Sequence, residues 1–322
     1  MQALYFDGSR VRVIERPEPQ AGPDSAVVRM RLAGVCNTDL EIARGYMDFR
    51  GVLGHEGVGE VVEGPPEWLG RRVVSEINFA CGHCATCRSG LGRHCPSRRV
   101  MGILAADGAF AQYLAVPVAN LHAVPDAMGD DRAVFAEPLA AAFEILEQVG
   151  EVAGQHAVVF GDGKLGLLIA QVLDNAGAQV LAVGHHRSHL ALLSQRGIET
   201  CAAASFPPGN TPRADLVVEA TGSPEGLAGA IAAVRPRGTL VLKTTLAEHP
   251  RVDLARIVID EIHLVGSRCG PFTPALAALE TGSVDVSALV EERFPLSQSV
   301  EALERAAARG ARKVVIDCEG SS

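Results

Sequence analysis

A glycine-rich turn, G-D-G-K-L-G at 161–166, constrains the fold of this chain more than any other segment. It follows an apolar segment, Ala157 to Phe160, and leads into a helical pattern. In a βαβ unit, such glycines permit a tight turn, a close approach to a pyrophosphate and close helix packing. Backbone N–H groups at the start of the helix then face the phosphates. We predict that a dinucleotide cofactor binds here, at Gly161, Gly163, Lys164, Leu165 and Gly166.

The pattern on either side of this turn predicts two kinds of domain. From about residue 130 to 270, short apolar segments alternate with helical patterns, which is typical of a parallel sheet built from βαβ units. Residues 1 to 124 are dense in Gly and Pro with short β-rich segments, which predicts a small antiparallel β-domain. We therefore predict an α/β fold with a doubly wound parallel sheet and a second, mainly β domain. The predicted strands of the parallel sheet are Ala157 to Phe160, Val180 to Val183, Leu216 to Glu219, Thr239 to Leu242 and Ile262 to Val265.

Composition and charge exclude several classes of function. The 322 residues are enough for two domains of ordinary size. A formal net charge of −9 argues against a nucleic-acid surface. No apolar stretch reaches the ~18 residues that a membrane span needs, and residues 1 to 7 lack a signal-peptide pattern. We expect a cytoplasmic protein without nucleic-acid or membrane partners, which binds a small-molecule substrate and forms a homodimer or homotetramer.

Four cysteines, Cys81, Cys84, Cys87 and Cys95, lie within the short segment C-G-H-C-A-T-C-R-S-G-L-G-R-H-C. This spacing is typical of a lobe, here about 78–98, that holds one Zn²⁺ between four thiolates. Four protein ligands leave no open position, so this zinc would be structural. The alternative is two disulfides, which an oxidising compartment would require.

The end of the second predicted strand bears on which dinucleotide binds. That strand normally ends in Asp or Glu, which accepts hydrogen bonds from the adenosine ribose of NAD. Here it ends in Gly184, His185, His186 and Arg187, with no carboxylate at its tip. Because Gly184 leaves room for a 2′-phosphate and Arg187 can pair with it, we expect NADP(H) to be favoured over NAD(H). Alternatively, Arg187 only begins a solvated helix face. His185, His186 and His189 could together suggest a metal cluster, but we expect these histidines to be solvated loop residues.

Separate turns supply a second set of candidate metal ligands. Cys36 lies in G-V-C-N-T-D-L, and the pair His55-Glu56 lies in G-H-E-G-V-G. Glu137 precedes a proline where the β-rich pattern gives way to βαβ units. A thiolate, an imidazole and a carboxylate that a fold assembles from distant turns suit a catalytic zinc.

These motifs and their order along the chain resemble those of the zinc-dependent medium-chain dehydrogenase/reductase family, which includes alcohol, polyol and threonine dehydrogenases. The resemblance extends over nearly the full length of the chain. Further matching motifs are D-G-A-F-A-Q-Y at 107–113, E-P-L-A at 137–140 and E-A-T-G-S at 219–223. The resemblance implies a GroES-like catalytic domain with a zinc lobe and a Rossmann domain. The expected bounds are 1–142 and 270–322 for the catalytic domain, and 143–269 for the Rossmann domain.

The resemblance also implies roles for the residues of the catalytic site. Cys36 and His55 are expected to ligate the catalytic zinc, with either Glu56 or Glu137 as the third protein ligand. Asp39 is expected to orient His55, and Thr38 to take the substrate proton. Thr221, in the E-A-T-G-S motif, is a further expected cofactor-binding residue.

These roles imply an alcohol dehydrogenase or carbonyl reductase with two zinc ions per chain, one catalytic and one structural. Zinc can lower the pKa of a bound hydroxyl from about 16 towards 7, which prepares an alcohol for hydride transfer to the nicotinamide. Glu137 favours a secondary alcohol, polyol or sugar-like substrate. One alternative is a zinc-independent quinone or enoyl reductase, which would lack the cysteine lobe and the Cys36/His55 pair. The other is a non-catalytic cofactor-binding protein, which would have lost a zinc ligand.

Overall fold

The computed structural model describes residues 1–206, 214–244 and 252–319. The chain forms two compact units: Met1–Glu137 with Ala275–Ser322, and Pro138–Pro274. The chain therefore leaves the first unit at Glu137 rather than at residue 142, and returns to it at Ala275 rather than at residue 270. No helix in the described part of the chain is long and apolar enough to cross a membrane.

The strands and helices of the described residues are named here in chain order. The strands are β1 (Gln2–Phe6), β2 (Val11–Glu15), β3 (Ser25–Gly34), β4 (Gly51–Val52), β5 (Glu56–Glu63), β6 (Arg72–Ser75), β7 (Asn78–Phe79), β8 (Arg99–Met101), β9 (Ala105–Ala106), β10 (Tyr113–Pro117), β11 (Leu121–Ala123), β12 (His156–Phe160), β13 (Gln179–Gly184), β14 (Glu199–Ala202), β15 (Ala214–Glu219), β16 (Val234–Leu242), β17 (His263–Gly266), β18 (Val290–Pro295) and β19 (Lys313–Asp317). The α-helices are α1 (Asn37–Ala43), α2 (Ala85–Arg88), α3 (Asp130–Ala133), α4 (Ala136–Val149), α5 (Lys164–Asn175), α6 (Arg187–Ser194), α7 (Pro224–Ala233), α8 (Leu254–Ile259), α9 (Phe272–Thr281) and α10 (Ser299–Ala306).

The first unit is built around β3, which is the longest strand of the unit and is buried over most of its length. It pairs antiparallel with β5, β10 and β19, so strands from the start and the end of the chain share one sheet. The expected antiparallel β-domain is confirmed for these strands. In the same sheet β18 pairs parallel with β19, and elsewhere in the first unit β8 pairs parallel with β9. The sequence does not predict β18, because half of its residues are exposed and they show no apolar alternation.

The second unit contains a six-stranded parallel sheet in the order β14-β13-β12-β15-β16-β17. All five predicted strands are present, because each contains an apolar segment. In β12, β13 and β15 this segment is largely buried, whereas β17 at the edge of the sheet is mostly exposed. The sixth strand, β14, was missed because E-T-C-A at the edge of the sheet carries no apolar run. After β12 the chain adds β13 and β14 on one side of the sheet, and after β15 it adds β16 and β17 on the other side. The carboxyl ends of β12 and β15 therefore mark the point where ligands bind in such sheets.

Candidate functional site

The four cysteines of the lobe converge on one point in the first unit. The Sγ–Sγ distances are 3.5 Å for Cys84–Cys87, 3.6 Å for Cys81–Cys95, 3.8 Å for Cys84–Cys95 and 3.9 Å for Cys81–Cys87. Four sulfur atoms that each lie about 2.3 Å from a central zinc are about 3.8 Å apart. All four thiols are free, and these separations are far longer than a disulfide bond. The donor set therefore fits a tetrahedral zinc and excludes the alternative of two disulfides.

Local backbone geometry favours the thiolate at Cys81 and Cys95, whereas burial raises the pKa of Cys87 to about 12. Cys84 caps the N-terminus of α2 and accepts a hydrogen bond from the backbone N–H of Cys87 at 3.4 Å. The backbone N–H groups of His83 and Cys84 lower the pKa of Cys81 to about 5. His83 and His94 are exposed, and neither belongs to the ligand group.

Cys36, His55 and Glu56 form the second ligand group. Their ligand atoms lie within 4.8 Å of one another. Cys36 follows β3 and His55 precedes β5, and the antiparallel register of these strands pairs Gly34 with Glu56. This pairing brings together two turns that lie about 20 residues apart in the sequence. The group offers the soft sulfur, imidazole and carboxylate donors of a catalytic zinc site.

Asp39 joins the two turns of this group. Its Oδ2 accepts the backbone N–H of Cys36 at 2.8 Å, which caps the start of α1. Its Oδ1 lies 3.0 Å from Nδ1 of His55, and both side chains are buried. When Nδ1 donates to Asp39, Nε2 of His55 is left as the free donor atom for a metal. Burial alone would lower the pKa of His55, but the charges of Asp39 and Cys36 outweigh burial and raise it well above its usual value.

Thr38 lies beside the candidate zinc ligands, with its Oγ1 3.7 Å from Sγ of Cys36. It is the second residue of α1, so the helix fixes the direction of the hydroxyl relative to Cys36. The side chain is half-buried. A hydroxyl at this distance from a metal ligand can reach an oxygen atom bound at the open metal position.

Glu56 has a partner that the sequence analysis did not identify. Its Oε2 pairs with Nζ of Lys313, at the start of β19, and each residue is only 1% exposed. The Lys313 ammonium also lies 5.6 Å from the ring centroid of Phe135. Burial alone would lower the pKa of Lys313, but Glu56 and Cys36 outweigh burial and raise it. A Cβ on Gly34 would lie 2.6 Å from Oε2 of Glu56, so the glycine makes room for the pair.

The other candidate ligand, Glu137, lies in the first turn of α4. Among the described residues, it is not a member of the group whose ligand atoms lie within 4.8 Å of one another. Its charge instead contributes to raising the pKa of Lys313. The geometry therefore favours Glu56 over Glu137 as the carboxylate beside Cys36 and His55.

In the second unit, the glycine turn has the geometry that a dinucleotide needs. Gly161 has a φ of +114°, and a Cβ on Gly166 would lie 1.9 Å from the carbonyl oxygen of Gly161. A Cβ on Gly163 would meet no atom within 4 Å, so the space in front of this residue is open. Gly163 is also the N-cap of α5 and offers no side-chain acceptor to the first N–H groups. These N–H groups, with Lys164 and Leu165 at the helix start, fit a pyrophosphate.

The tip of β13 carries a carboxylate that the sequence analysis did not expect. Asp162, from the glycine turn, packs against Gly184, and its Oδ2 accepts the backbone N–H of His186. The premise that no carboxylate lies at this tip is therefore wrong.

His185 and Arg187 are exposed and His186 is half-buried. His189 is not a solvated loop residue, because it lies buried in α6 and donates from Nδ1 to the carbonyl oxygen of Asp162 at 2.8 Å.

Thr221 lies after the carboxyl end of β15, next to the glycine turn in the sheet. Its hydroxyl donates to Oε1 of the buried Glu219 at 2.6 Å, and its backbone N–H donates to the same oxygen at 2.7 Å. These bonds fix the 219–223 segment beside Gly161, whose Cβ position lies 2.4 Å from the carbonyl oxygen of Ala220. The role of Thr221 in binding a cofactor stays a prediction.

Comparison with known proteins agrees with this geometry. The chain matches the model of the alcohol dehydrogenase GroES-like domain at residues 22–126 and that of the zinc-binding dehydrogenase at residues 165–281. It is 32% identical over 316 residues to the D-altritol 5-dehydrogenase of Agrobacterium fabrum, which covers 92% of this chain and 94% of the relative.

Two solved structures are similar over almost the full chain. A short chain alcohol dehydrogenase from E. coli CFT073, complexed with the cofactor NADH, has a TM-score of 0.90 at 25% identity and covers 98% of this chain and 99% of its own. A putative zinc-binding dehydrogenase from Sinorhizobium meliloti 1021, bound to NADP, has a TM-score of 0.87 at 26% identity and covers 98% of each chain. The family models, the relative and these neighbours establish that the chain belongs to the zinc-type medium-chain dehydrogenase family, with a GroES-like and a Rossmann domain.

Proposed function

We propose that this protein is a zinc-dependent oxidoreductase that transfers hydride between a nicotinamide dinucleotide and an alcohol or carbonyl compound. The observation that carries the proposal is the group of Cys36, His55 and Glu56, with Asp39 behind His55. Three protein ligands leave an open position for a substrate oxygen, whereas the four-cysteine lobe leaves none. The two metal sites therefore have different roles, one catalytic and one structural.

The residues of the first unit would hold and orient the reactants. The thiolate of Cys36 and Nε2 of His55 would hold the metal, and Asp39 keeps the imidazole in the tautomer that this requires. Glu56 is the proposed third ligand, because Lys313 occupies only its Oε2. When bound, zinc would supply Lewis acidity at the substrate oxygen. Thr38 would take up the proton of the alcohol and release its own hydroxyl proton towards solvent as hydride leaves carbon, with the opposite exchange in the reverse direction.

The nicotinamide cofactor, when bound, supplies the hydride acceptor or donor. The open space at Gly163 and the uncapped start of α5 support its binding in the second unit. The preference for NADP(H) over NAD(H) stays a prediction, and its remaining support is the exposed Arg187 at the first position of α6.

For the substrate, we propose a secondary alcohol of a polyol or sugar-like compound. The family contains relatives named for such substrates, including D-altritol 5-dehydrogenase and sorbitol dehydrogenase. A carboxylate in the ligand group, rather than a second cysteine, also supports this choice.

We further propose that the chain is cytoplasmic and forms a homodimer or homotetramer. A reducing compartment suits eight free cysteines, four of which are placed to hold zinc as thiolates. Assembly is supported by apolar side chains exposed on α8 and on the edge strand β17, among them Val258 at 74%, Ile259 at 78% and Leu264 at 48%. An exposed apolar edge of this kind is a usual site of association.

The test is a panel of polyols, simple alcohols and the matching ketones, assayed with NAD(H) and NADP(H) on purified protein. We expect turnover of at least one secondary alcohol, lost in Cys36→Ser while circular dichroism stays unchanged. Turnover that survives in Cys36→Ser, or activity only on quinones or enoyl compounds, would refute the proposal.

A further inference from the structure

The tip of β13 is shaped by a contact between two residues that lie on different turns. A Cβ built on Gly184 would lie 2.4 Å from both Cβ and Cγ of Asp162, and 2.6 Å from its Oδ2. These distances are too short for any side chain. The side chain of Asp162 therefore occupies the space that the side chain of residue 184 would otherwise fill.

Several hydrogen bonds keep the Asp162 carboxylate in this place. Its Oδ2 accepts the backbone N–H of His186, and Nδ1 of the His186 ring lies 3.2 Å from both carboxylate oxygens. The buried His189 holds the backbone of Asp162 from the other side through the bond to its carbonyl oxygen. Asp162 is only 6% exposed, so its charge is shielded by little solvent.

This arrangement has a direct consequence for a dinucleotide bound at the glycine turn. In the βαβ dinucleotide fold, the acidic residue at the tip of the second strand lies beside the 2′-position of the adenosine ribose. A phosphate at that position carries about −1.5 to −2 charges, so a fixed carboxylate a few Å away repels it. Ribose with a free 2′-hydroxyl has no such charge.

We propose that Asp162 takes the place of the missing acidic residue at position 184 and selects against the 2′-phosphate of NADP(H). Asp162 opposes Arg187, whose guanidinium favours that phosphate, and the balance of the two groups sets the cofactor preference. The proposal rests on the proposed function in one respect, that the second unit binds a nicotinamide dinucleotide.

Equilibrium titration of the purified protein tests this directly. NADH and NADPH are titrated by their fluorescence, and AMP and adenosine 2′,5′-bisphosphate by calorimetry, because the second pair isolates the 2′-phosphate. Asp162→Asn keeps the shape and the acceptor for His186 N–H but removes the charge. We expect the ratio of the NADPH to the NADH dissociation constant to fall by about tenfold or more, and the ratio for the adenosine pair to fall likewise. Ratios within about twofold of those of the unmodified protein would overturn the proposal.

Asp174→Asn is the matched control. Asp174 lies in the last turn of the same helix, α5, is exposed, and carries the same charge. A 12-residue helix is about 18 Å long, so this charge lies well away from the glycine turn. We expect both ratios to stay unchanged in the control. An equal shift in Asp174→Asn would show that net charge, rather than Asp162, decides the ratio.

A pair of substitutions tests the shared space by thermal stability and by cofactor binding. Gly184→Asp alone should lower the melting temperature, because its Cβ meets Asp162. The double variant Asp162→Gly/Gly184→Asp should recover stability and keep the NADPH-to-NADH ratio of the unmodified protein, because it returns a carboxylate to the tip. A double variant that is no more stable than Gly184→Asp, or that shifts the ratio tenfold, would contradict the proposal. If the unmodified protein binds none of the four ligands, the dinucleotide site itself is refuted, and the role of Asp162 with it.

Discussion

Removal of the Lys313 ammonium, as in Lys313→Met, should destabilise the first unit strongly. The variant leaves Glu56, which is 1% exposed, without its cationic partner. Removal of one member of a buried ion pair typically costs about 3–5 kcal/mol, because the remaining charge is buried and uncompensated. The loss of the contact with the Phe135 ring adds up to about 2 kcal/mol. For a unit of this size, 1 kcal/mol lowers the melting temperature by about 2–4 °C, so we expect a fall of at least 6 °C.

A double-mutant cycle, measured by thermal or urea unfolding of metal-free protein, separates two contributions to the free energy of unfolding: that of the Lys313–Glu56 ion pair and that of the lost packing. Lys313→Met/Glu56→Gln should be more stable than Lys313→Met, because no unpaired charge remains. Arg29→Met is the matched control on the same sheet: Arg29 pairs with Glu60 at 3.2 Å, but it is 45% exposed, so we expect a cost of about 1 kcal/mol or less. A Lys313→Met variant as stable as Arg29→Met, or a coupling energy near zero, would refute the reasoning.

Zinc should change the size of this effect, because a bound cation also compensates Glu56. The gain in melting temperature on zinc addition should therefore be larger in Lys313→Met than in the unmodified protein. Equal gains in melting temperature in the two proteins would show that the bound zinc does not compensate the charge of Glu56.

Three further predictions concern other parts of the molecule. Cys84→Ser should lower the melting temperature by several degrees through the loss of the structural zinc, as measured by calorimetry and metal analysis; an unchanged value would contradict a stabilising role for the lobe. Thr38→Ala should slow alcohol oxidation by ~10²-fold or more without changing cofactor affinity, and unimpaired turnover would show that the proton leaves by another route. Leu264→Arg, on the exposed edge strand β17, should reduce the oligomer to smaller species in light scattering; an unchanged mass would place the interface elsewhere.

Features encoded by neighbouring residues could be predicted from the sequence. The cysteine lobe is one example, because its four ligands lie within a short segment whose spacing is enough to define a tetrahedral site. The glycine turn is another, since strand, turn and helix are consecutive. Five apolar strands of the parallel sheet were predicted for the same reason.

Features that depend on long-range contacts could not be predicted. The partner of Glu56 lies 257 residues further along the chain, and nothing in K-V-V-I-D signals a buried lysine. The contact between Asp162 and Gly184 forms only when β12 and β13 lie side by side. The sequence of β13 therefore shows no carboxylate at the end of the strand, although the fold places the carboxylate of Asp162 there. Edge strands such as β14 carry too little apolar pattern to be recognised.

The most direct test of the central claim, two zinc sites with separate roles, is the zinc content of three proteins by elemental analysis. We predict two zinc ions per chain in the unmodified protein, and one in each of Cys36→Ser and Cys84→Ser. The zinc that remains in Cys36→Ser should support a folded but inactive protein. A single zinc in the unmodified protein, or loss of both ions from Cys36→Ser, would contradict the account.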